Sequence, residues 1–221
     1  MGTYEVKRNI ALGFLTVVDH PQYGLFGGYL LLSTAGRPLE FHCTAPIKPN
    51  RAQEILYGPT LESFLYGEQI GRTLLEKASV EASLVCTDRE AVLAVREHVS
   101  LPVALVLAAD GRAPEPGGEH LHLYPDRPGH RSAGEVGGGL TTFQVGRNRL
   151  AVPEQSDGDR RQIVERLACL PESFDLAEPF SRIRAAIEEA QQAVRLPSDT
   201  ARAGHRPEVG PEASSERSAA A

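Results

Sequence analysis

Hydrophobic residues in the first part of the chain gather into runs of strand length. Residues 10–18 (IALGFLTVV) and 28–34 (GYLLLST) are apolar, β-branched or aromatic, and the segment between them, with Pro21, Gly24 and Gly27, reads as a connection. A turn at Ala35-Gly36 leads into a third run, 38–45 (PLEFHCTA). Three strands with short links predict an antiparallel meander. Pro46 and Pro49 stop the third strand, Asn50 is placed to cap a short helix over 51–57, and Gly58-Pro59 ends it. Pro59 suits the first position of a second helix, which runs to about Ala78 with Glu62 near its start and Lys77 near its end.

Residues 82–86 (ASLVC) form a short strand in this reading. Thr87 and Glu90 have the spacing of a capping box, Val92, Val95 and Val99 mark a helix, and Leu101-Pro102 closes it before the apolar run 103–107. Strand, helix and strand in so short a span predict a βαβ crossover and hence a parallel strand pair. The stretch 108–139 is rich in glycine and proline and long for an ordinary loop, with a short strand possible only over Glu119 to Tyr124. A hairpin follows over 142–152, turning near Arg147-Asn148.

Two helices complete the pattern. One covers about 157–170, with Ile163, Val164, Leu167 and Leu170 on one side; the other starts at Asp175, where Asp175 and Glu178 repeat the capping-box spacing. Its apolar stripe is Leu176, Phe180, Ile183, Ile187 and Val194. Beyond Arg195 hydrophobic residues almost vanish, so 196–221 is expected to be a disordered tail. The expected fold is α/β (mixed α+β): a meander, a helix, a βαβ unit, a hairpin and two C-terminal helices around one mixed sheet. It forms a single domain over 1–195.

Composition supports a globular chain: 41% hydrophobic and 24% charged residues over 221 positions. A net charge of −6 and the lack of a long basic run argue against nucleic acid as a partner. No apolar run reaches the length of a bilayer span, and the opening residues, MGTYEVKRNIALGFL, do not read as a signal peptide. The expectation is a cytoplasmic protein with no membrane contact and no cofactor, whose partner is a protein or a small molecule. Three cysteines, Cys43, Cys86 and Cys169, make neither a disulfide framework nor a CxxC site.

Candidate chemistry is sparse. His42 and Cys43 adjoin in sequence, but neighbouring side chains on a strand face opposite ways, so they form no dyad. Cys43, sharing a side with Leu39 and Phe41, is expected to be a small core residue. Cys86 stands at the carboxyl end of a strand of the βαβ unit, where α/β sheets hold ligands, with Asp88 and Arg89 beside it. A cysteine-dependent enzyme would use Cys86 or Cys43, supported by His42, Asp88 or His98. His120, His122 and His130 are the candidate ligands for a metal-dependent hydrolase. The GEVGGG run at 134–139 precedes a strand rather than opening a helix, which rejects a phosphate loop.

The segment 44–72 breaks ordinary packing rules. Gly67 and Gly71 lie four apart in a predicted helix, where each glycine costs up to about 1 kcal/mol against alanine. They imply the close approach of another backbone or of a ligand. Thr44, Lys48, Asn50, Arg51, Glu54, Tyr57, Tyr66 and Glu68 surround them in sequence. The favoured expectation is a non-enzymatic binding or protein-interaction surface built from these residues. The plainer alternative is tight internal packing, with Glu68 paired to Arg72.

Overall fold

The computed structural model describes residues 10–107 and 139–195, with side chains to 192. The expected short strand at 119–124, the histidines at 120, 122 and 130 and the tail 196–221 lie outside the described residues, as does the side chain of Val194. A seven-stranded mixed sheet forms the frame, in the order β3-β2-β1-β4-β5-β7-β6. β1 (Ala11–His20), β2 (Gly24–Ser33) and β3 (Pro38–Cys43) make the antiparallel meander. β1 then pairs in parallel with β4 (Ala82–Thr87), and β4 with β5 (Val103–Leu107). β6 (Leu140–Val145) and β7 (Asn148–Pro153) form the hairpin, and β7 lies antiparallel to β5. The α/β class and the mixed sheet are as the sequence predicts.

Alternation along β1 divides the core in two. Ala11, Leu15 and Val17 point to one face and Leu12 and Phe14 to the other. The first face is covered by a helical run over 58–77 and by the 3-10 helix Glu90–Glu97, through Leu61, Leu65, Ile70, Leu74, Val92 and Val95. The second is covered by the helices Asp157–Leu167 and Glu178–Arg195, through Ile163, Leu167, Phe180, Ile183 and Ile187. The C-terminal helix docks closely because Gly28 of β2 has no side chain. A Cβ there would stand 2.3 Å from the Ile183 side chain.

Several local expectations change. The β1–β2 connection is far shorter than 19–27, because Gly24, at φ 93°, turns the chain and pairing with β1 extends β2 back to it. The run 58–77 is not one α-helix: its centre, Phe64–Arg72, has π-helical geometry. Buried Leu65 and Ile70 are therefore five residues apart, a spacing that a 3.6-residue period does not anticipate. Thr87 belongs to β4 and does not cap the following helix. Its hydroxyl instead accepts from Arg89 N at 3.1 Å, a local turn that competes with helical capping.

Candidate functional site at the carboxyl edge of the sheet

The parallel register sets Leu15 beside Thr87, so Thr16 and Asp88 are the next neighbours where β1 and β4 leave the core. Thr16 Oγ1 donates to Asp88 Oδ1 at 2.5 Å. Arg184, from the C-terminal helix, donates to Asp88 Oδ2. Asp88 is 2% exposed, Thr16 fully buried and the Arg184 side chain 35% exposed. A buried carboxylate is tolerated here because a hydroxyl and a guanidinium, from two other elements, replace its water.

Arg89 turns back across the strand end, its Nε donating to Val17 O at 3.1 Å. Tyr66, on the helical run, lies in the field of Glu62, Asp19 and Arg89. Burial chiefly, then the charges of Glu62 and Asp19, raise its phenol well above the ordinary value, against the opposing pull of Arg89. Tyr66 is therefore a hydrogen-bond donor at any physiological pH. The strand ends thus hold one enclosed carboxylate and two guanidiniums, with the Tyr66 phenol on the first face of the sheet, in the field of Arg89.

Of these groups, Asp88 and Arg89 are legible as candidates in the sequence; Thr16 and Arg184 are not. Thr16 is the single polar residue inside the run IALGFLTVV, and Arg184 follows Ile183 directly, beside the apolar stripe of its helix. Those two irregularities were the available signals.

The cysteine reading is corrected. Cys86 is fully buried, and desolvation pushes its thiol up to about 12, so the nucleophilic thiolate is not formed. Cys43 is exposed rather than in the core, because among the described residues β3 is the last strand of the sheet, and Leu39 and Phe41 on that side are exposed too. His42 does point away from Cys43; its Nε2 lies 2.6 Å from Glu40 Oε1. No group of three His, Cys, Asp or Glu side chains among the described residues could hold a metal ion. No helix among them is long and apolar enough to cross a membrane.

Glu40 has a distinct role. It accepts main-chain N–H bonds from Ser79 and Val80, and these, followed by the bond with His42, hold its carboxyl down to about 2 from 4.5. Because the folded-state value is the lower one, the stabilisation is complete above about pH 4.5 and is lost as pH falls towards 2. Thermal melts of wild type and Glu40→Gln are expected to differ at pH 7 and to converge over that acid interval. A gap in melting temperature that stays constant from pH 7 to 2 would refute this assignment.

Internal packing accounts for the glycines and for most of the polar residues of the 44–72 region. Gly67 faces Ala94 and Val95 of the 3-10 helix, and Gly71 faces Val95 and Leu15, so the chain itself fills the space beside both glycines. Arg72 pairs with Glu76 at 2.7 Å, not with Glu68. Asn50 and Gln53 form a capping box for the helix Arg51–Tyr57, Arg51 pairs with Glu54, and Lys48 donates to Gln22 O. Thr44 accepts from Gly27 N, and Tyr57 stacks on Phe64 with ring centres 4.0 Å apart. Most of the candidate binding residues are thus engaged in holding this segment to itself and to β2.

No protein-family profile matches the chain, and no curated protein matches it. Among solved structures it resembles endonuclease V of Ciona intestinalis, in complex with a 23mer DNA that contains an inosine followed by a ribo-adenosine. The likeness has 13% identity and a TM-score of 0.39 over 86% of this chain and 90% of that one. Against that neighbour, an endonuclease bound to DNA, the expectations of a non-enzymatic module and of no nucleic-acid partner are both withdrawn. A similarity of this size assigns neither nuclease chemistry nor DNA to the present chain.

Proposed function

We propose that the chain binds a ligand bearing an anionic group, carboxylate or phosphate, at the carboxyl edge of β1 and β4. The observation that carries this reading is the pinning of two guanidiniums at the same strand ends. Arg89 is held through Nε by Val17 O, and Arg184 through Nη2 by Asp88. An anchored guanidinium keeps further N–H donors in a fixed plane, and that geometry matches carboxylate and phosphate oxygens. The strand ends are also where open α/β sheets receive ligands. Asp88 balances one of the two positive charges, and Glu62 and Asp19 lie in the same field as Arg89, so attraction of the ligand rests on the directed N–H donors of Arg89 rather than on net positive charge.

Isothermal titration with inorganic pyrophosphate and with citrate tests this. Saturable binding of at least one probe is expected, weakening with added salt and falling by about tenfold in Arg89→Gln, the equivalent of one charge-assisted hydrogen bond. Arg89→Gln also gives up the bond to Val17 O, so the titrations are made at a temperature where thermal unfolding shows the variant to be folded. Absence of saturable heat with both probes, or equal affinity in Arg89→Gln, would end the proposal.

A further inference from the structure

Where the β6–β7 turn meets the end of the helix Asp157–Leu167, the second core leaves a gap at its edge. A partly enclosed cavity of about 220 Å³ lies there. Val145 of the hairpin, Leu167 and Leu170 at the helix end, and Pro171, Phe174 and Leu176 of the following connection form its apolar walls. Leu167 and Leu176 belong to the second core, and Val145, Leu170 and Phe174 pack against it. An apolar space of ~150 Å³ already holds a benzene molecule, so this gap has room for a ring and a short substituent.

Contacts within the chain fix the walls. Asn148 donates through Nδ2 to Phe174 O at 2.8 Å and accepts from Leu176 N at 2.9 Å, which ties the connection to the start of β7. Gly146, at φ 54°, lets the turn come up against the same connection; a Cβ there would stand 3.3 Å from Glu172 O. Glu172 is the one charged residue of the lining, is exposed, and has no ion pair among the described residues. The C-terminus of the helix Asp157–Leu167 adds partial negative charge at the same end. The cations adjacent in sequence do not offset it: Arg166 donates to Ser83 O and to Gln162 Oε1, and Arg147 is outside the lining.

We propose that this cavity binds a small organic ammonium ion, its hydrocarbon body in the apolar space and its charged nitrogen at the rim beside Glu172. The body displaces water that apolar walls hold poorly. The nitrogen supplies the N–H donors that a carboxylate and the last carbonyls of a helix accept. A carboxylate ligand of equal size fits the space but brings the wrong charge to the rim. Drug-sized molecules occupy roughly 300–1,000 Å³, so the ligand is smaller than these and its binding weak. The cavity shares no residue with Thr16, Asp88, Arg89 and Arg184, and the inference stands apart from the anion-binding proposal.

Benzylamine, benzyl alcohol and benzoate share one ring and are positive, neutral and negative at pH 7. Amide chemical shifts of the nitrogen-labelled full chain, followed during titration with each, test the proposal. Benzylamine is expected to move amides within 145–148 and 167–176 saturably, with a dissociation constant of about 1 mM, and to bind more tightly there than benzyl alcohol. Benzoate is expected to leave those amides unmoved. Glu172→Gln should weaken benzylamine about threefold, the scale of one exposed ion pair, and leave benzyl alcohol unchanged. Benzylamine shifts that fail to saturate or that arise elsewhere, benzoate binding at these amides as tight as benzylamine, or equal benzylamine affinity in Glu172→Gln would each overturn the proposal.

Discussion

Replacing Gly67 by alanine is expected to destabilise the protein by about 3 kcal/mol, although alanine is the better helix former by about 1 kcal/mol. The new Cβ would stand 2.7 Å from Ala94 Cβ and 2.9 Å from both the Ala94 carbonyl carbon and Val95 N. Two of those three atoms are main chain, which cannot rotate out of the way. Nor can the 3-10 helix that carries them withdraw easily. Arg96 ties it to Asp159 through bonds of 2.6 and 3.2 Å and to Val99 O at 2.7 Å, with the Asp159 side chain only 7% exposed. Gly158, in the helix Asp157–Leu167, is the control, since a Cβ there meets nothing within 4 Å. Gly158→Ala is expected to be neutral or to stabilise by about 0.5 kcal/mol. Urea unfolding of the two variants gives the comparison, and a harmless Gly67→Ala would mean that the two helices do not meet as described.

Arg184→Ala is expected to cost about 2–3 kcal/mol, because it leaves Asp88 with only the Thr16 hydroxyl in a buried position. The figure is below that of a fully enclosed pair because the Arg184 side chain is 35% exposed and water already screens part of the attraction. Adding Asp88→Asn to the Arg184→Ala chain removes the stranded charge and should recover much of the loss. A double-mutant cycle by chemical denaturation separates the pair's coupling from the packing of the arginine stem. If Arg184→Ala unfolds at the wild-type midpoint, water rather than the guanidinium balances Asp88. In that case the C-terminal helix is held by Phe180, Ile183 and Ile187 alone.

Both results turn on contacts between residues far apart in the chain, and this is where sequence reading stops. The apolar runs located the meander, the βαβ crossover, the hairpin and the two last helices, because periods of two and of 3.6 follow directly from which face of an element must leave water. The alternation rule also separated His42 from Cys43 correctly. It could not say whether the Cys43 side is covered: covering depends on what lies beyond β3, and among the described residues the sheet ends there. The paired glycines announced a close approach, but their neighbour, the 3-10 helix Glu90–Glu97, was visible only once both crossovers lay on the same sheet face. Asp88 could be placed at a strand end from local pattern. Its partners could not, since Thr16 and Arg184 are 72 and 96 residues away and owe their meeting to the β1–β4 register and to Gly28, which lets the C-terminal helix settle on the sheet. The sequence by itself therefore determined the elements and the sides they bury, which are local consequences of side-chain order. Which polar groups converge was decided by tertiary structure, because only packing sets the distance between residues that the chain keeps far apart.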